Sequence, residues 1–121
     1  MRSLSVSIAT AALVLAGAAE AHPKLVSTSP MSNTTVARPA HVALRFSEKL
    51  MPAFSKANLT MVAMSGMPAS KIASAVALAA DGCTLVITPR TSLHAGRYSV
   101  AWHVVSTDTH KAAGTYAFAV K

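Results

Sequence analysis

Three groups of residues in this chain have types and spacings that could do chemistry: His22, the pair Asp108 and His110, and the run Met61, Met64 and Met67. His22 follows Ala19-Glu20-Ala21, the small-x-small pattern at which an export leader is cut. Cut there, His22 becomes the first residue, and its free α-amine and a ring nitrogen can close a chelate ring on one metal ion. Both nitrogens can shed their protons to a metal near neutral pH. A chain that begins His-X can also bind Cu(II) through the deprotonated amide of X, but Pro23 has no amide hydrogen to lose. The remaining ligands must then come from elsewhere in the fold.

The segment STDTH offers two of them. In a strand, residues two apart point to the same face, so the Asp108 carboxylate and the His110 imidazole converge on one ion. Alternatively the carboxylate orients the ring from behind, or the stretch is a plain polar turn. Methionine thioethers are soft donors suited to Cu(I), and Met61, Met64 and Met67 recur at every third position of MVAMSGMPAS. A helix would pack them as a core stripe, but Gly66 and Pro68 interrupt any helix, so the segment reads as a strand running out into a loop. Gap-filling in the core is the competing role for these methionines. No Ser-His-Asp arrangement or Gly-rich phosphate loop stands out, and a carboxylate-pair enzyme is poorly supplied with acids.

These residues need a scaffold outside the cytoplasm. Residues 1–21 read as a cleavable secretory signal: basic Arg2, the apolar run ATAALVLAGAA, then the alanine spacing. The apolar run is short for a bilayer span. Residues 22–121 then form a single domain, enough for a modest core. Of the eleven Lys and Arg only Arg2, and of the four acids only Glu20, precede the cut, so the domain stays strongly basic. Its positive charges are spread evenly rather than clustered with aromatics, and together with export this argues against nucleic acid as a partner. A single cysteine, Cys83, excludes an intramolecular disulfide. Cys83 itself reads as a small buried residue in a strand.

Short alternating runs divided by Pro and Gly specify strands, not helices. Val42, Leu44 and Phe46 share one parity, with Glu48 at its end. Leu59 and Met61 follow, then a run through Ile72, Val76 and Leu78, and a return strand through Leu85 and Ile87. Asp81-Gly82 between the last two reads as a tight hairpin turn whose central residues both need positive φ. Tyr98, Val100, Trp102 and Val104 line one face, and Tyr116, Phe118 and Val120 close the chain. About seven short strands with frequent turns imply an all-β fold, a small antiparallel Greek-key barrel or sandwich.

Together these stretches resemble the CopC family of periplasmic copper-resistance and copper-carrier proteins. The likeness rests on HPKLVSTSP, LRFSE, LTMVAMSGM, LVITP, LHAGRYSVAWHVVSTDTH and GTYAFAVK. It implies a small Greek-key β-barrel similar to cupredoxin-like and immunoglobulin-like sandwiches. It also implies a Cu(II) site in which His22 gives its amine and ring nitrogen, with Asp108 and His110 as further ligands and Glu48 as a ligand or near neighbour. Some members carry a separate Cu(I) site in a methionine loop, which Met61, Met64 and Met67 match. Here Ala69 and Ile72 stand where that site has a histidine and a further methionine, so weaker Cu(I) binding is expected.

The implied function is to sequester or carry copper in the periplasm, as a monomer and without catalysis. A CopD-type membrane copper importer or other periplasmic copper proteins are the implied partners. Two other readings stay open. The first is a copper-dependent oxidase or monooxygenase, whose brace an N-terminal histidine resembles; few aromatics and an anionic ligand at Asp108 count against it. The second is a metal-free immunoglobulin-like interaction module.

Overall fold

The computed structural model describes residues 22–121; the leader expected over residues 1–21 lies outside the described residues. The described chain is built almost wholly of strands. They are β1 (Leu25–Ser29), β2 (Thr35–Val36), β3 (Val42–Phe46), β4 (Lys56–Met61), β5 (Ser70–Ile72), β6 (Ser74–Leu78), β7 (Thr84–Pro89), β8 (Gly96–Val105) and β9 (Lys111–Val120). One 3₁₀ turn, Pro52–Phe54, lies between β3 and β4. Among the described residues no helix is long and apolar enough to cross a membrane.

The strands form two sheets, ordered β1-β3-β7-β6 and β2-β9-β8-β4-β5. Alternation decides what each buries. Val42, Leu44 and Phe46 of β3 face Leu59, Tyr98, Val100, Val104 and Phe118 of the other sheet, all at most 2% exposed. Burying each large apolar side chain of this kind contributes about 1.5–3 kcal/mol, and that has to stabilise a chain whose lone cysteine is free.

The all-β two-sheet fold is as expected, with nine strands where about seven were anticipated. One difference is at Ala73. The run through Ile72, Val76 and Leu78 is not one strand: β5 pairs with β4 and β6 with β7, in different sheets. Ile72, Val76 and Leu78 still all pack against the core, so the apolar period continues while the chain turns the corner between sheets. The other is β2, two residues long and parallel to β9, too short to show as alternation.

The turn at Asp81-Gly82 also differs in type. Gly82 alone has positive φ (+74°), and the loop runs from Ala79 to Thr84, whose backbones bond at 2.8 Å. Asp81 serves through its side chain, accepting from the Cys83 and Thr84 amides at 2.8 and 3.0 Å. Those bonds hold its carboxyl below the usual range, the Cys83 amide first. Cys83 is half-buried in this loop just before β7, not in a strand. The loop matters for the site because Gly82 O and Cys83 O accept from the Leu50 and Phe46 amides, both at 2.8 Å, and so anchor the FSEKL segment.

Candidate metal centre

Ten-residue strands β8 and β9 form one long hairpin, and its tip carries Asp108 and His110. The pairing runs to Val105↔Lys111, and Ser106 N–H then donates to His110 O at 2.9 Å. That leaves Thr107, Asp108 and Thr109 as a three-residue loop, a type that ends in a residue of left-handed conformation. Thr109 takes that place at φ +73°, an uncommon setting for a β-branched residue. Asp108 and His110 are therefore brought together by a tight turn rather than by facing the same way along a strand, as their spacing had suggested.

Ser106 fixes the turn from inside. It is wholly buried, and its hydroxyl donates to Asp108 Oδ1 and lies 3.3 Å from both His110 O and His110 N. The Ser106 hydroxyl, followed by His110, holds the Asp108 carboxyl below the ordinary carboxylate range, so it is ionised at neutral pH. His110 Nδ1 is screened from solvent without a well-aligned hydrogen-bond partner; the carboxylate oxygen Asp108 Oδ1 lies 3.3 Å away. Metal–nitrogen and metal–oxygen bonds of about 2 Å set at right angles place their ligand atoms about 3 Å apart. An orphaned ring nitrogen beside a carboxylate oxygen at this separation suits two neighbouring ligands of one ion.

His22 arrives from the other end of the chain. The N-terminal segment is laid against the end of β3 by Lys24, whose amide donates to Ser47 Oγ at 2.9 Å and whose carbonyl accepts from the Ser47 amide at 2.8 Å. This brings the exposed His22 ring edge-on to that of His110, centroids 5.5 Å apart at 83°. His22 Nδ1 lies 3.2 Å from Lys111 O. As a donor there it carries a proton, so closing a chelate with its own α-nitrogen requires the exposed ring to turn away from Lys111.

Glu48 is half-buried between the two arms of the site. Its neighbour Ser47 is bonded to Lys24, and Lys49 O accepts from the Thr107 amide at 2.9 Å. The backbone thus carries Glu48 to the same end, with no hydrogen bond or ion pair to His22, Asp108 or His110 among the described residues. No three His, Cys, Asp or Glu side chains of the described residues form a ready metal cluster. One proposed donor, the His22 α-nitrogen, is a peptide nitrogen while Ala21 is attached.

The methionines separate. Met61, at the end of β4, is partly buried against the core. Met64 and Met67 are 42% and 54% exposed at the tip of the β4–β5 hairpin, which excludes core filling for these two. Their backbones exchange bonds of 2.9 and 2.8 Å around Ser65-Gly66, with Gly66 at φ +79° as a type II turn requires.

The matching family model is the CopC domain, over residues 25–121. The chain belongs to the CopC family. It is 47% identical over 123 residues to a copper resistance protein C of Xanthomonas campestris pv. juglandis, covering 99% of this chain and 97% of that protein. A copper resistance protein C of Pseudomonas syringae pv. tomato is 44% identical over 122 residues, with the same coverage. The crystal structure of PcoC, a methionine-rich copper resistance protein from Escherichia coli, superposes with a TM-score of 0.78 at 46% identity, covering 84% of this chain and all of that one. This CopC domain differs in detail from what type and spacing suggested: the residue that positions Asp108 and His110, Ser106, carried no signal beyond lying in a Ser-x-Asp sequence common in turns.

Proposed function

We propose that this CopC-family chain is an exported copper carrier of the periplasm that binds Cu(II) at the His22, Asp108 and His110 end of the barrel. The observation that supports this most is the orphaned His110 Nδ1 beside Asp108 Oδ1, with the His22 ring edge-on to the same imidazole. An amine, two imidazoles and a carboxylate suit the tetragonal preference of Cu(II), which heads the divalent affinity order. Glu48 is a neighbour at this end that completes or tunes the sphere. The exposed thioethers of Met64 and Met67, with Met61 at the base of their hairpin, supply a weaker Cu(I) site. Two sites of different softness let copper be held in either oxidation state and passed to a membrane importer of the CopD type or to another periplasmic copper protein, the carrier itself being a monomer.

The α-amine becomes a ligand only when the Ala21–His22 bond is cut, which gives a decisive experiment. Mass analysis of exported protein is expected to show His22 as the first residue, and Cu(II) titration to give one tight site per chain, read by quenching of the single tryptophan, Trp102. His22→Ala, and equally one extra residue placed before His22, should each weaken that site by at least about tenfold. Unchanged affinity in both variants would rule the reading out.

A further inference from the structure

The methionine hairpin runs past the end of its sheet, towards the loop that leads into β8. β4 and β8 pair from Lys56↔His103 to Met61↔Tyr98, and Val62 N–H still donates to Arg97 O at 2.8 Å. Met64 stands two residues beyond Val62 and His94 three before Arg97, so the methionine turn and the His94 loop leave the paired strands at the same end of the sheet. Two contacts hold the loop at this height. The Tyr98 hydroxyl donates to His94 O at 2.7 Å, which fixes the backbone of His94 and leaves its exposed ring out of that bond. The Met61 methyl lies against Gly96, so close that a Cβ there would stand 2.8 Å from it. One thioether of the hairpin thus lies against the first residue of β8, two residues from His94.

Met64 and Met67 are directly opposed in the hairpin, and such pairs project from one face with Cα atoms about 5.5 Å apart. Holding two thioethers side by side in water costs apolar exposure with no packing in return. Methionine has three rotatable bonds, so the sulfurs can swing towards a neighbouring donor. Thioethers select Cu(I) and imidazole also suits copper.

We infer that His94 is a ligand of the Cu(I) site, its imidazole completing a set with the Met64 and Met67 sulfurs and Met61 at the base. The inference rests on the methionine hairpin being a Cu(I) site and adds a nitrogen donor supplied from a different loop. No histidine lies between Met61 and Ile72, so any nitrogen ligand of the hairpin comes from outside it.

The test is an anaerobic Cu(I) titration of the processed domain, followed by NMR of the methionine methyls and histidine rings, with affinity from competition against a chromophoric Cu(I) chelator. The expected result is that the His94 ring and the Met64 and Met67 methyls shift together up to one equivalent. His94→Ala should weaken Cu(I) binding by at least about tenfold, since losing a ligand costs no less than losing the partner of one, while His103→Ala, on the β4–β8 sheet, leaves it unchanged. Methionine shifts with an unmoved His94 ring and full affinity in His94→Ala would overturn the inference and leave a thioether-only site. No shift in either group would overturn the Cu(I) hairpin itself. The backbone carbonyl that receives Tyr98 is kept in His94→Ala, and its amide spectrum checks that the loop is intact.

Discussion

Ser106 fixes the Asp108–His110 turn from inside the fold. Its hydroxyl is the largest influence holding the Asp108 carboxyl low, and its backbone bonds close the turn that sets His110. In Ser106→Ala the Asp108 carboxyl is expected to rise towards the ordinary value of 3.8, seen in a carboxyl-carbon NMR titration. A depressed carboxyl contributes stability that is full above the ordinary value and is lost as pH falls through the folded one, so the variant should have less of it at neutral pH and a smaller fall in stability on acidification than the parent. Asp108 is ionised near neutral pH in both, so any loss of copper affinity there reports lost orientation rather than lost charge, and about 10- to 100-fold is expected. A carboxyl that titrates identically in both proteins would show that Ser106 plays no such part. At this scale His22, Asp108 and His110 could be singled out because donor types are few and their spacing is peculiar. Ser106 could not, because its role depends on complete burial, which comes only from the closing of β8 on β9.

The β8–β9 tip shows an element bent to the needs of its residues. A three-residue loop with a left-handed last position is normally given glycine, yet Thr109 occupies it at φ +73°. A residue forced there costs about 1–3 kcal/mol, whereas a glycine replacement adds unfolded-state entropy worth about 0.4–1 kcal/mol. The first effect wins, so Thr109→Gly should raise stability by about 1 kcal/mol in urea unfolding. It should also weaken Cu(II) binding, because the looser turn no longer fixes Asp108 against His110. A variant less stable than the parent would mean that the threonine side chain contributes more than its strain costs. Elements of this kind were legible where alternation was long, as in β3, β8 and β9. They were illegible where pairing rather than pattern decides: the apolar period passes Ala73 without a break although the chain changes sheet, and a two-residue strand such as β2 has no period. The tip could be read as a strand pair or as a polar turn, because residues two apart converge equally well across a turn, and only the closing of β8 on β9 selects the turn.

For the whole molecule, the proposed site draws on residues near the two ends of the domain's sequence. His22 extends from the edge strand β1 of one sheet, while Asp108 and His110 sit at the β8–β9 tip of the other. An ion bound by both, as proposed, would tie the sheets together at one end, in a domain whose lone cysteine is free. That two sheets would pack on one core was readable from parity alone; that His22 meets His110 at one end was not, because it depends on Lys24 pairing with Ser47 and Lys49 with Thr107. A ligand that binds only the folded form stabilises it by about 2.7 kcal/mol at a hundredfold excess over Kd. For a domain of this size, each kcal/mol raises Tm by about 4–8 °C. One equivalent of Cu(II) with slight excess should therefore raise Tm by about 10 °C or more, reversed by a chelator. In His22→Ala an exposed side chain is lost without touching the core, so apo Tm should be unchanged while most of the copper-induced rise disappears. A rise of equal size in that variant would place the stabilising ion elsewhere in the molecule, and a fall in apo Tm would mean that His22 supports the fold through Lys111 independently of any metal.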